Sequence, residues 1–225
     1  MESPSNHPIT PPTRIQQNLL ARAERQFLNY LCARLPAWVT PDQLTSVGFI
    51  GAMMVAAGYL LSWIDPIWLV LSITGYGVNW FGDSLDGSLA RWRRIERPAY
   101  GYFLDHSVDG LAIFMMVGGL GLSPYLRFDV ALICVVCYLL LAIHTFLAAK
   151  VLGEFRLSYL AGGPTEMRLM LIAMTGLMPW IGGGDIGSTN MSVFDIFSLS
   201  VAAILLMLFL VQSFVTARLL RARES

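Results

Sequence analysis

Four aspartates fall within two short stretches of otherwise apolar sequence, FGDSLDGSLARWRR over 81–94 and GYFLDHSVDG over 101–110. On a helix, Asp83 and Asp86 stand three residues apart and share a face, and Gly87 and Ala90 fall on that face one and two turns on from Asp83. In the second stretch Gly101, Asp105 and Asp109 recur every four residues, which gives a second face with one gap and two acids. Four carboxylates gathered so closely repel one another unless hard divalent cations, which take oxygen ligands, draw them together. The pattern therefore predicts a metal site. Pairing with Arg91, Arg93 or Arg94 is the plainer reading for any single aspartate, and it accounts less well for four acids with glycines interleaved among them.

The elements that must hold these acids are read from composition and periodicity. Of 225 residues, 56% are hydrophobic and 13% charged, and the mean hydropathy is +0.61, whereas a soluble domain is about one quarter charged. That balance argues against a water-soluble fold, and zero net charge gives no footprint for nucleic acid. Crossing a hydrocarbon core takes ~20 mostly apolar residues. Apolar runs occur at 44–63, 66–90, 101–123, 129–150, 167–181 and 194–217, separated by Pro, Gly or charged residues. The expected fold is an all-α integral membrane protein with six transmembrane helices over 41–220. Residues 1–13, with four prolines and no apolar run, read as a flexible arm. Residues 14–36 read as an interfacial amphipathic helix, because Ile15, Leu19, Leu20, Ala23, Phe27, Leu28 and Leu31 recur at helical spacing. Both acidic stretches then lie at the same end of consecutive spans, where a charge at a helix centre costs about 2.5–3.5 kcal/mol on insertion scales and so points to function.

Cytoplasmic loops retain Lys and Arg near span ends. Fourteen of the fifteen basic residues fall in the N-terminal arm, the second connection, the fourth connection or the tail, and the opposite side holds only Arg127. Both termini and the acidic faces are thus expected in the cytoplasm of a multi-pass protein, with a bacterial inner membrane suiting the small size. Cys32, Cys134 and Cys137 lack the spacing of a disulfide framework. Trp38, Trp63, Trp68, Trp80, Trp92 and Trp180 mostly fall near span ends, as interfacial anchors do.

The pattern Asp83-x-x-Asp86-Gly87-x-x-Ala90-Arg91, nine residues, then Gly101-x-x-x-Asp105-x-x-x-Asp109 resembles the signature of the CDP-alcohol phosphotransferases at every fixed position. The resemblance is close from about Pro41 to Lys150 and elsewhere extends only to hydropathy. Pro41-Asp42-Gln43-Leu44-Thr45 is also similar to the family's short motif before the first span, with Asp42 where an Asn often stands. The resemblance implies a transferase of phospholipid synthesis, which moves a phosphoalcohol group from a CDP-linked donor to an acceptor hydroxyl and releases CMP. One of the two substrates would be a lipid. It further implies two divalent ions, Mg2+ or Mn2+, with Asp83, Asp86 and Asp105 as the principal ligands and Asp109 either completing the metal site or left free as general base in a direct attack. Asp42, Thr45, Asp83, Gly87, Ala90, Arg91 and Gly101 would meet the nucleotide and diphosphate. A homodimer is expected from the family alone.

Other assignments stay open at this level. Asp42 or Thr40 serves equally well as a helix N-cap. His106 could relay a proton, yet on a helix it points about 100° from Asp105, which favours a structural or interfacial role. Lys150, Arg156 and Arg168 would shape the acceptor site or simply contact lipid headgroups. Donor and acceptor are open: CDP-diacylglycerol with a small polar alcohol, or a soluble CDP-alcohol such as CDP-choline with a lipid alcohol. An ion or proton transporter is the alternative from another class, since intramembrane acids also mark ion paths; the acids' position at one end and the absence of an internal repeat weigh against it. A non-catalytic scaffold that kept the fold is a third reading.

Overall fold

The structure, a computed structural model, describes residues 13–15, 21–152, 154–156, 163–184, 186 and 190–224, with the side chains of 13–15, 21 and 154–156 excepted. The chain is built of helices: α1 (Ala21–Cys32), α2 (Pro41–Leu61), α3 (Leu69–Arg93), α4 (Pro98–Gly121), α5 (Phe128–Leu152), α6 (Pro164–Ile181) and α7 (Val193–Glu224). A one-turn 3-10 helix, Pro66–Trp68, leads into α3. Two three-residue strands, β1 (Thr13–Ile15) and β2 (Glu154–Arg156), pair in parallel.

Four of these helices, α2, α4, α5 and α7, are long and apolar enough to cross a membrane. The six expected spans all form helices, but α3 and α6 fall short by composition. α3 carries Asn79, Asp83, Asp86, Arg91 and Arg93, and α6 is only 18 residues long with Pro164, Glu166, Arg168 and Pro179 among them. The N-terminal helix also differs from expectation. It begins at Ala21, whereas Arg14 and Ile15 belong to β1, whose backbone bonds are taken by β2. The expected helical segment 16–20 and nearly all of the expected arm lie outside the described residues.

The tightest packing is between α2 and α3, which run antiparallel. Glycines make it possible. A Cβ on Gly75 would stand 2.7 Å from the Val55 nitrogen, and one on Gly51 or Gly82 would strike the backbone of Asn79 or Gly48. Lipid tails offer no hydrophobic drive between helices, so close backbone approach at small residues supplies the attraction. α4 packs on the other side of α2, where a Cβ on Gly119 would lie 2.7 Å from the Ala56 Cα. α5 covers α4, and α7 packs along α5.

Local signals set the ends. Thr40 caps α2: its hydroxyl accepts the Gln43 N–H at 3.3 Å, and its own N–H donates to Gln43 Oε1 at 2.9 Å, a capping box after which Pro41 opens the helix. Arg93 at the end of α3 donates to the carbonyls of Leu35, Pro36, Ala37 and Val39 at 2.5–3.3 Å and so fixes the α1–α2 connection. At the opposite end of the bundle, buried Asp195 accepts the backbone N–H groups of Arg127 and Ser192, tying the α4–α5 turn to the start of α7.

Candidate active site

The α2–α3 contact brings the first turn of α2 against the last third of α3, and α4, packed on α2, closes the same site. The result is a small cleft lined by Thr45, Gly48 and Phe49 of α2, Asn79, Asp83 and Asp86 of α3, and Asp105, Val108, Asp109 and Ala112 of α4. All four motif aspartates line it.

Each acid is held differently. Asp86 is buried, and its Oδ2 accepts the Thr45 hydroxyl at 2.7 Å while its Oδ1 accepts the Gly87 N–H at 2.5 Å. Asp83 pairs with Arg168, whose Nη2 donates to Oδ2 at 2.5 Å. Arg168 Nε also donates to Asn79 Oδ1 at 2.9 Å, and Asn79 Nδ2 donates to the Gly48 carbonyl at 3.0 Å. This chain of bonds links α6, α3 and α2 directly behind the acids. Asp109 of α4 and Asp83 of α3 line the same cleft. Asp105, His106 and Asp109 offer ligand atoms that all lie within 4.8 Å of one another. His106 Nδ1 is 3.7 Å from Asp105 Oδ2 and 3.9 Å from Asp109 Oδ2. Its ring packs edge-on to Tyr102 and tilted against Phe146 of α5.

This donor set fits a hard divalent cation. Four carboxylates from α3 and α4 line one cleft, and the guanidinium of Arg168, paired with Asp83, carries only one positive charge to offset them.

The remaining sequence candidates are distributed around the cleft. Asp42 lies one turn before Thr45 and pairs with Arg97 of the α3–α4 connection; Thr40, not Asp42, caps the helix. Gly87, Ala90 and Arg91 continue α3 beyond Asp86, where Arg91 donates to Ser88 Oγ at 3.3 Å and a Cβ on Gly87 would meet Arg91 Nη1 at 3.3 Å. Gly101 precedes Asp105 by one turn and has open space where a side chain would be. None of these five lines the cleft; all sit towards the same end of the bundle. Lys150 is exposed at the end of α5. Arg156 lies in β2, and its side chain is outside the described residues. Arg168, taken from sequence as a possible acceptor contact, reaches the acids, bonding Asp83 and Asn79.

Asn79 was not singled out from sequence. It stands one turn before Asp83 on the same face, and a buried amide in an apolar helix is itself a functional signal. Trp80 departs from the anchor expectation: its Nε1 donates to Glu24 of α1 at 3.0 Å, and Phe27 stacks on it.

A sequence model of the CDP-alcohol phosphatidyltransferase family matches residues 38–217, which span α2 to α7 and every acid in the cleft. The chain belongs to this family. Its membership, together with the four long apolar helices, makes it an integral membrane protein. Enzymes of the CDP-alcohol phosphatidyltransferase family use a divalent metal, in keeping with the Asp105–His106–Asp109 group. The archaetidylinositol phosphate synthase of Pyrococcus horikoshii is 29% identical over 98 residues, 44% of this chain and 49% of that protein, so the match spans about half of the relative's length.

Proposed function

We propose that the protein is a membrane transferase of phospholipid synthesis, which transfers a phosphoalcohol group from a CDP-linked lipid to the hydroxyl of a phosphorylated polyol and releases CMP. The observation that carries this reading is the meeting of Asp83, Asp86, Asp105 and Asp109 in one cleft, in a chain of this family. The relative's product name supports an inositol phosphate type of acceptor, and Arg168 sets a guanidinium charge beside the acids for a phosphate-bearing acceptor. Six spans, with α3 and α6 completing the four apolar helices and α1 lying at the interface, give the cleft access to both water and lipid. The charge asymmetry supports cytoplasmic termini and a cytoplasmic cleft. A homodimer in a bacterial inner membrane is part of the same proposal.

Asp83, Asp86, Asp105 and Asp109 would hold two divalent ions, Mg2+ or Mn2+. When bound, such ions neutralise the donor diphosphate and stabilise the departing CMP. The protein's own groups do the rest. Thr45 and the Gly87 N–H fix the orientation of Asp86. Asn79 and Arg168 brace Asp83 from behind. Asp109, one turn deeper in α4 than Asp105, takes the proton from the acceptor hydroxyl as it attacks the donor phosphorus bonded to the lipid alcohol; the phosphorus–oxygen bond to CMP breaks in the same displacement. Gly87, Ala90 and Gly101 keep the rim open for the nucleotide, with Asp42 and Arg91 at its edge. Lys150 and Arg156 would add positive charge on the acceptor side. Acids lining a cleft at one end of the bundle give an ion path through the membrane no support.

The test is CMP release by the purified protein in lipid, with Mg2+ or Mn2+, offering CDP-diacylglycerol, its ether-lipid counterpart, CDP-choline and CDP-ethanolamine against a panel of acceptors. The expected result is metal-dependent release with a CDP-linked lipid and inositol phosphate. Release is abolished by EDTA, restored by added metal, and reduced about 10²–10⁴-fold in Asp109→Asn, the usual contribution of a general base. Turnover of CDP-choline with a lipid alcohol would overturn the donor assignment; no release from any pair would overturn the enzyme reading.

A further inference from the structure

Glu24 of α1 joins three helices through a single oxygen. Its Oε1 accepts Trp80 Nε1 of α3 at 3.0 Å and the Thr165 hydroxyl of α6 at 2.6 Å. Thr165 stands three residues before Arg168, so the two side chains lie on one face of α6. Thr175, seven residues beyond Arg168 on that face, forms a hydrogen bond with Tyr59 of α2 at 2.6 Å. α6 packs principally on α3 among the described residues, and apolar contact between membrane helices gives little preference for one axial position over another. The polar contacts at Thr165, Arg168 and Thr175 therefore fix its height and rotation. The Thr175 contact lies deep in the buried core, whereas the Glu24 contact governs the first turn, where Arg168 leaves the helix.

We propose that Glu24 is a positioning residue for the acceptor side of the site: through Thr165 it holds the first turn of α6 so that the Arg168 guanidinium faces Asp83 and Asn79. This rests on the reading of Arg168 as the acceptor's phosphate partner. It gives α1 a second task besides lying at the interface, since α1 then sets the geometry of a side chain that it does not touch. Gln at position 24 retains an Oε1 that can accept both donors, whereas Ala cannot.

The experiment uses the full chain in lipid and two measurements. In the first, phenylglyoxal modification of Arg168 is followed by mass spectrometry, with exposed Arg94 as internal reference. The Arg168 side chain is 13% exposed, so it is protected in the wild type. Glu24→Ala and Thr165→Val are expected to speed its modification several-fold relative to Arg94, and Glu24→Gln to leave it protected. In the second, the donor and acceptor pair that the wild type turns over is used for steady-state kinetics. Glu24→Ala is expected to raise the acceptor KM about tenfold while the donor KM stays within about twofold, as a change confined to acceptor binding requires; Glu24→Gln restores it. Unchanged protection of Arg168 in Thr165→Val, or equal rises in both KM values, would overturn the proposal. A wild type that turns over no pair sinks the functional reading instead and leaves the modification result to decide the link between Glu24 and Arg168.

Discussion

Asp86 enters the cleft with both carboxylate oxygens engaged, one by the Thr45 hydroxyl from the neighbouring helix and one by the Gly87 N–H of its own. A hydrogen bond to a charged group is worth about 1.5–3 kcal/mol, so Thr45→Val is expected to lower transfer roughly ten- to a hundredfold and to raise the metal concentration for half-maximal rate, with Thr45→Ser near wild type. A metal titration of the CMP-release rate checks both; a rate that falls with no change in metal dependence would mean that Thr45 acts on something other than Asp86. The grouping of the four acids was legible in the sequence because their spacing sets their faces; Thr45 was expected at the nucleotide, and its bond to Asp86 was not foreseen. Asn79, Glu24 and Arg168 were not legible in their roles, because each finds its partner on a helix far away in the chain. His106 illustrates the limit of helical geometry. Its Cα direction is turned away from Asp105, yet the imidazole swings back between the residue before it and the one three after it.

At the scale of elements, the site depends on how closely α2 and α3 approach. A Cβ on Gly82 would strike the Gly48 nitrogen and stand 2.5 Å from both the Gly48 Cα and the Leu44 carbonyl oxygen. These are backbone atoms that cannot rotate aside. Gly82→Ala is therefore expected to push the helices apart at a cost of roughly 1–3 kcal/mol, lowering the thermal unfolding midpoint in lipid by several degrees and lowering transfer with it, since Thr45 then loses Asp86. Gly77→Ala on the same helix, with nothing within 4 Å of its added methyl, is the control and keeps both. Equal effects of the two substitutions would show that helix propensity, not close approach, is being measured. Apolar runs located all six of the longer helices, because hydropathy reports the bilayer directly. It also counted α3 and α6 as spans, whereas they fall short of the other four by length or composition, since the polar residues they carry dilute their apolar character. Hydropathy could not foresee that Arg14 and Ile15 pair with β2.

For the whole molecule, the proposed orientation rests on the uneven placement of charge, and the one basic residue on the opposite side is paired. Arg127, alone on the side opposite the acidic cleft, is held by Asp129 at 2.7 Å and donates to the Asn190 carbonyl at 3.2 Å. A cation neutralised on the spot resists translocation less than the free clusters at the other end, where Arg91, Arg94, Arg218, Arg221 and Arg223 stand exposed near helix ends. If the cleft opens to the cytoplasm, residues at its end and residues by Arg127 must be reached from opposite sides of a sealed membrane. The cysteine-free variant is the background for this test, because only Cys32 and Cys137 of the three native cysteines are buried, and burial keeps Cys32 in its thiol form by raising the energy of the thiolate. A single cysteine at Glu96, in the α3–α4 connection, should therefore react with an impermeant maleimide only in inverted vesicles, and one at Gly184, beyond α6, only in right-side-out cells. The reverse pattern would turn the cleft away from the cytoplasm, and with it from a cytoplasmic CDP-linked donor, because the acids, Thr45 and Arg168 all belong to the end of the bundle that Glu96 marks.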